Sequence, residues 1–337
     1  IIKCPDPWKY RNVHLEFRRI LGQYTDNVVP KSIDEFVLNL EGFPAYKKGM
    51  LKVGEEIKEK IKREVGDWLT VSIGIAPNRF LAKTASNLHK PDGLDVIDVR
   101  NYKDVYKSLR LTDLTGIKVK NAIRLNNFGI FSVTDFYNAS ERKLRAAFQS
   151  IVGYYWYVRL HGWEVDDIEF GRRSYGNSYA LQKPLTTLEE LSPLIQKLSE
   201  KCGFRMRKAG YWAKGIHVAA GYRDGGFWHR GFTTPEYVFA SRDIYAYAIK
   251  LINKSPYLKP VRDISVSVFN IEKMASAQLS LLDDFEKKRS LVNAIDSVNE
   301  RWGNFVITPG KMLGMQEVIL DRVAFGGVKE LEEIIIN

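Results

Sequence analysis

A chain of 337 residues, 45% hydrophobic and 27% charged, has room for two or three globular cores and is too polar to be fibrous or membrane-embedded. Its net charge of +11 and pI near 9.4 fit a polyanionic partner, because Lys and Arg that neutralise phosphates release condensed counterions, although a basic surface also serves plain solubility. Two cysteines (Cys4, Cys202) and five scattered histidines exclude a disulfide framework and a zinc site, and no apolar run approaches the ~20 residues that span a bilayer, so a cytoplasmic protein without a membrane partner is expected.

The chain opens on Ile1-Ile2-Lys3-Cys4-Pro5 rather than Met, which is read as a sign of preceding sequence. Asp6-Pro7 is an N-cap followed by Pro at the first helical position, and Tyr10, Val13, Phe17, Ile20 and Tyr24 recur at helical spacing. Val28-Val29-Pro30 and the stretch 33–40 read as strands, with Phe36, Leu38 and Leu40 on one face. Val53, Ile57, Ile61 and Val65 give a second amphipathic helix, followed by a strand over 69–75. Asn78 caps a third helix running to His89, Pro91-Asp92-Gly93 stops it, and 94–97 is a further strand. This order predicts an α+β sheet domain with helices on one face.

Residues 101–168 read as short helices punctuated by Gly116, Gly129, Gly153 and Gly162. From Arg172 the period returns to strands: 175–181, a helix over 187–208, a strand at 215–221, a hairpin at Asp224-Gly225, a strand at 227–233, a helix over 241–253 and a strand over 261–271. The order β-α-β-β-α-β is an antiparallel sheet with two helices. Residues 172–273 also hold 17 Lys and Arg against 8 Asp and Glu, so most of the positive excess sits here. The rest, 274–337, is a mixed, charged tail, helical over 288–302.

Three stretches carry chemistry. Ser32-Ile33-Asp34-Glu35-Phe36-Val37-Leu38 places two adjacent carboxylates inside an apolar strand, where consecutive side chains face opposite ways and at least one charge is submerged unless a cation offsets it. A pair of divalent ions is one such partner; an exposed hairpin whose acids are solvated is the other reading. On the third helix Arg79, Lys83 and Lys90 fall on one face, either a phosphate-binding stripe or a solvated surface. Leu111 to Lys120 has the form of a helical hairpin, in which amides at a helix start grip a backbone phosphate, or of an ordinary Gly-containing turn.

These stretches resemble the Y-family (translesion, DNA polymerase IV-like) DNA polymerases. Ser32 to Glu35 after a helix and short strand is similar to the family's palm signature, and Ser72 to Gly93 is the best-matched stretch. Phe148 to Gly162 resembles the end of the thumb, and Arg173-Ser174-Tyr175-Gly176-Asn177-Ser178 a variant of the first strand of the little finger. The resemblance implies an α+β multidomain chain: the C-terminal part of a palm (1–100), a helix-hairpin-helix thumb (101–168), a little finger (169–273) and a tail (274–337). It implies that Asp34 bridges two Mg2+ ions while Glu35 serves the primer-side ion, and that Lys90, just before Pro91, contacts the triphosphate of the incoming dNTP, with Lys83 a second candidate.

Gly116, Lys118 and Lys120 become thumb contacts to DNA, with Lys118 standing where the common pattern has a second Gly. Arg172, Arg173, Lys183, Arg223 and Arg230 become little-finger contacts. Gln278, Leu279, Leu281 and Leu282 resemble peptides that insert into a bacterial sliding clamp, with Leu282 replacing the usual Phe; a buried amphipathic segment is the alternative. The family's other metal-binding Asp and its fingers are expected upstream of Ile1. The implied activity is template-directed DNA synthesis across damaged bases on primer–template DNA; the rivals are a non-catalytic DNA-binding fragment and an adaptor retaining the fold.

Overall fold

The computed structural model describes residues 6–168, 171–255, 259–274 and 285–320. The chain divides into two compact units, the first running to residue 169 and the second from 170 to 321.

In the first unit, α1 (Pro7–Leu21) starts where Asp6 Oδ1 accepts the amides of Trp8 and Lys9, satisfying two of the donors a helix start leaves open. β1 (Val28–Pro30) pairs antiparallel with β2 (Phe36–Leu38). α2 (Met50–Glu64) buries Val53, Ile57 and Ile61 along one stripe against Ile20, Leu21 and Tyr24. β3 (Ile73–Ile75) pairs parallel with β4 (Leu94–Val96), and α3 (Arg79–Ala85) connects them. Each ladder is only three residues long, so the single sheet expected from the sequence is instead two separate two-stranded ones.

Two further expectations need correction. The strand expected over 33–40 forms only at 36–38, so Asp34 and Glu35 stand in the turn before it rather than inside it, where solvent receives both charges. The helix expected to reach His89 ends at Ala85, because the amides of Asn87 and Leu88 turn back to the carbonyls three residues earlier.

Five short helices follow, α4 (Tyr102–Ser108), α5 (Val119–Asn126), α6 (Val133–Asn138), α7 (Glu141–Phe148) and α8 (Val152–Leu160). They close on a core that joins Phe80, Leu81 and Ala85 of α3 to Phe136, Phe148 and Trp156. Gly153 is needed within α8 for a different reason from the turn glycines: a Cβ there would stand 2.4 Å from the Leu144 carbonyl, so only hydrogen lets α7 and α8 cross this closely.

The second unit contains β5 (Ser174–Leu185), α9 (Leu188–Lys208), β6 (Tyr211–Tyr222), β7 (Phe227–Val238), α10 (Ser241–Ile252) and β8 (Val261–Lys273), the β-α-β-β-α-β order read from the sequence. The antiparallel strand order is β5-β8-β6-β7. Pro184 and Pro235 fall on the two edge strands, where a missing ladder donor is tolerated. Thr187 and Glu190 form a capping box at the start of α9, whose Ile195, Leu198, Cys202 and Met206 are buried against Ile216, Val218, Ile264 and Val266. Burial pushes the Cys202 thiol up to about 12, so it is a packing residue.

α11 (Phe285–Trp302) is held to α9 by a bidentate pair between Arg207 and Asp296, 2.7 and 2.8 Å. Lys197 and Lys201 on α9 donate to the carbonyls of Met315 and Ile319, so this part of the tail packs into the second unit. Among the described residues no helix is long and apolar enough to cross a membrane.

A candidate active site and nucleic-acid interface

The turn from Lys31 to Glu35 is built from both sides. The amides of Lys31 and Ser32 donate to the Glu35 carbonyl, 2.8 and 3.3 Å, closing the β1–β2 hairpin. Beneath it, the buried His14 ring donates from Nδ1 to the Ile33 carbonyl at 2.8 Å and stacks on Phe36 with centroids 4.7 Å apart. With Ile33 buried, its neighbours Asp34 and Glu35 are both displayed at the surface. Ser32 Oγ donates to Asp34 Oδ1 at 2.5 Å, and Lys83 Nζ of α3 closes an ion pair with Glu35 Oε1. Two adjacent, exposed carboxylates are thus each engaged through one oxygen, by a hydroxyl and an ammonium.

α3 is placed by Asn78. Its Oδ1 accepts the Leu81 amide at 2.7 Å, and its Nδ2 donates to the carbonyls of Arg159 and Trp163 at 2.9 and 3.0 Å. The three cations of the expected basic stripe therefore separate. Arg79 turns to Glu164 at 3.7 Å and to the Asp166 carbonyl at 3.3 Å, Lys83 goes to Glu35, and Lys90 stands past the helix end, exposed. Lys83 and Lys90 do not share a helix face, since α3 stops at Ala85.

The hairpin before α5 has exposed Gly116, Lys118 and Lys120. Gly116 sits at φ +95°, a conformation that glycine alone adopts without strain, and buried Leu114 and Ile117 pin the turn from below. Asn121 Nδ2 donates to the Gly116 carbonyl at 3.1 Å. Lys118 is the extended residue before α5 and makes no side-chain cap, which leaves the first-turn amides of α5 directed outward.

In the second unit α9 and α10 cover one face of the sheet. Paired residues share a face, so the opposite face carries small residues such as Gly176, Ser178, Ser265, Ser267 and Gly231 around His217. His217 Nε2 and His229 Nδ1 lie 3.2 Å apart there, and burial first, then the neighbouring His229, hold His217 below the usual imidazole range. The five cations expected to track DNA are not one cluster. Arg223 stands in the β6–β7 turn, Lys183 on edge strand β5, and Arg230 opposite Val218 and so on the helix side of edge strand β7; Arg173 is exposed, while the Arg172 guanidinium lies 4.5 Å over the Tyr175 ring. Gln278, Leu279, Leu281 and Leu282, like Cys4, lie outside the described residues.

Sequence reading missed the second role of Asn78, whose cap signal says nothing of the carbonyls of Arg159 and Trp163, and the engagement of Lys83 by Glu35. It also missed the pairing of Lys58 and Lys62 with Asp92, for which the only local signal is two lysines one helical turn apart on α2.

Comparison with known proteins identifies the family. Residues 1–87 match the impB/mucB/samB family and residues 172–281 its C-terminal domain. A DNA polymerase IV of Bacillus anthracis is 30% identical over 322 residues, covering 93% of this chain and 77% of the relative. One of Pelotomaculum thermopropionicum is 29% identical over 320 residues, covering 93% and 78%. Among solved structures, a Y-family DNA polymerase chimera superposes with a TM-score of 0.65 at 23% identity, over 78% of this chain and 76% of that one, a likeness of fold. With the acidic turn, the Asn78-capped helix and the four-stranded unit all within the matched span, this chain belongs to the impB/mucB/samB family of Y-family DNA polymerases.

Proposed function

We propose that the chain is a DNA-directed DNA polymerase that extends a primer 3′ end across damaged template bases, with primer–template DNA and a dNTP as substrates. The observation that carries this reading is the 31–35 turn, where Asp34 and Glu35 stand side by side at the surface with Glu35 fastened to α3 by Lys83. Exposed carboxylate oxygens suit a hard divalent ion such as Mg2+, which takes oxygen ligands. Among the described residues no third His, Cys, Asp or Glu joins them in one cluster, so a full coordination shell draws on further oxygens. Asp34 and Glu35 would hold the ions, two in this reading. The chemistry such ions would supply is activation of the attacking hydroxyl and neutralisation of charge on the transferring phosphoryl group.

The chain's own residues have separate tasks. Ser32 fixes the Asp34 carboxylate and Lys83 the Glu35 carboxylate, which keeps both oriented before substrate arrives. Lys90 supplies a cation for the triphosphate, a charge-assisted contact. The Gly116–Lys120 hairpin offers amides and two lysines to a DNA phosphate, and the second unit, with Arg172, Arg173, Lys183, Arg223 and Arg230 at its surface, contacts the duplex backbone. In this assignment residues 1–100 are palm, 101–168 thumb, 169–273 little finger and 274–337 a tail, with Gln278, Leu279, Leu281 and Leu282 docking to a bacterial-type sliding clamp.

The test is primer extension with Asp34→Ala and Glu35→Ala. Each should abolish Mg2+-dependent extension and leave DNA affinity within about 2-fold, since a lost carboxylate removes a metal ligand and no cation that could pair with a phosphate. Extension near the parental rate by both variants would refute the assignment.

A further inference from the structure

Lys90 makes no hydrogen bond or ion pair among the described residues, yet the residues around it are tied down. Asp92, two positions on, receives two lysines from α2: Lys58 Nζ lies 3.2 Å from Oδ1 and Lys62 Nζ 3.1 Å from Oδ2. Lys58 and Lys62 are four residues apart, so their ammonium groups project from one helix face a turn apart, and the carboxylate bridges them one oxygen to each. The Lys58 side chain is 16% exposed, and its ammonium also donates to the Asp92 carbonyl, so the tether grips backbone as well as side chain. Asp92 itself stands at φ +62°, a left-handed conformation in which Asp is one of the few tolerated non-glycine residues.

On the other side of Lys90, His89 Nδ1 meets Asp95 Oδ1 at 2.6 Å. The Gly93 amide donates to Ser72 Oγ at 3.3 Å, and a Cβ on Gly93 would stand 2.3 Å from the His89 carbonyl, so the turn folds back tightly on itself. Both flanks of Lys90 are thus anchored to neighbouring elements while its own ammonium projects into solvent.

We propose that Asp92, held by Lys58 and Lys62, is a positioning residue that fixes the turn carrying Lys90 and so presents its ammonium to the triphosphate of the incoming nucleotide. The role rests on the reading of Lys90 as a triphosphate ligand. Two cations on one carboxylate also leave a surplus positive charge beside Lys90, which suits a polyanionic ligand. Lys62 first, then Lys58, hold the Asp92 carboxyl below the usual carboxylate range, so the tether stays charged at neutral pH.

The experiment is a double-mutant cycle on the full chain, read as nucleotide KM, kcat and DNA affinity. Asp92→Ala should raise the KM about 3- to 10-fold with DNA affinity unchanged, a coupling of the size found between neighbouring residues. The pair Lys58→Met with Lys62→Met should reproduce that rise. In a Lys90→Ala background, Asp92→Ala should add nothing further. Asp92→Asn, which keeps the left-handed tolerance and loses the ion pairs, serves if the alanine variant does not fold. An equal KM rise in both backgrounds, or a KM unmoved by Asp92→Ala and Asp92→Asn while Lys90→Ala raises it, overturns the positioning role. A KM unmoved by Lys90→Ala refutes the Lys90 reading itself, and the positioning role with it.

Discussion

Lys83 Nζ on α3 pairs with Glu35 Oε1 in the turn before β2, joining residues 48 positions apart and bringing an ammonium to the edge of the acidic pair. A cation arriving at Asp34 and Glu35 has to share or displace that ammonium. Removing it takes a positive charge away from a cation site and leaves Glu35 without a competing cation, which favours binding of a divalent ion.

Lys83→Met should therefore move the midpoint of the Mg2+ dependence of extension to lower concentration and tighten Mn2+ binding measured by electron paramagnetic resonance. The nucleotide KM should change less than it does in Lys90→Ala. A cation midpoint that rises or stays put, with the KM rising instead, would return Lys83 to the role of a triphosphate ligand.

Asn78 is 4% exposed and satisfies three backbone groups at once: the Leu81 amide and the carbonyls of Arg159 and Trp163. Asn78→Ala loses the cap of α3, worth about 1 kcal/mol, and strands two carbonyls, each costing about 1–3 kcal/mol if left unpaired. Asn78→Asp keeps the cap but turns a donor into an acceptor facing those same carbonyls. Denaturant unfolding should show a loss of at least about 3 kcal/mol for the alanine variant, the cap plus the lower figure for each carbonyl, and no smaller a loss for the aspartate one. If Asn78→Asp is as stable as the parent, the bonds to Arg159 and Trp163 contribute nothing.

What the sequence made legible follows from the range of each signal. Caps, helical stripes and turn residues are local, so the caps at Asp6 and Asn78 and the Asp224-Gly225 hairpin are readable where they stand. The β-α-β-β-α-β order is readable because its strands are 12 or 13 residues long and are divided by turn and helix signals, and because β8 alternates, with Ile264, Val266 and Val268 buried. Strand length in the first unit is not, because an apolar run such as 69–75 pairs only where a partner exists, here at 73–75. The acidic turn was found but placed wrongly: alternation carried the strand back to Ile33, whereas closure of the hairpin on the Glu35 carbonyl starts it at Phe36. Ion pairs over long separations are poorly marked: Lys83 with Glu35 leaves no sign in either local sequence, and Lys58 with Asp92 only the two lysines a turn apart on α2, which name no partner.

His217 gives a pH dependence with a definite sign. Its folded value lies below the ordinary imidazole range, chiefly through burial. On acidification the unfolded chain takes up this proton first, so the contribution to stability is complete above the ordinary value of about 6.5 and is lost as pH falls from there toward the depressed folded value. Urea unfolding of the second unit at about pH 7.5 and about pH 5.5 should show a smaller pH-induced loss in His217→Gln than in the parent, because the variant removes the linked proton. Equal losses would show that the His217 proton is not linked to folding.

The hairpin before α5 separates charge from geometry. Lys118 and Lys120 are exposed and flank a helix start whose amides have no side-chain cap, while Gly116 at φ +95° sets the path of the turn. A lysine that neutralises a phosphate contributes counterion release, about 0.9 to the slope of log affinity against log salt on duplex DNA. A glycine that only shapes the turn contributes none. Lys118→Ala and Lys120→Ala should each flatten the slope by about that amount and weaken binding alike on unrelated sequences, as backbone contacts do. Gly116→Ala forces a side chain into a left-handed conformation, at about 1 kcal/mol, and places its Cβ 3.3 Å from the Trp156 ring. It should weaken DNA binding while leaving the slope unchanged. Anisotropy titrations of the parent and three variants across a range of salt distinguish these outcomes. A slope unmoved by either lysine variant would mean that the hairpin lysines are solvated, and the DNA contact would then have to be sought on the second unit alone.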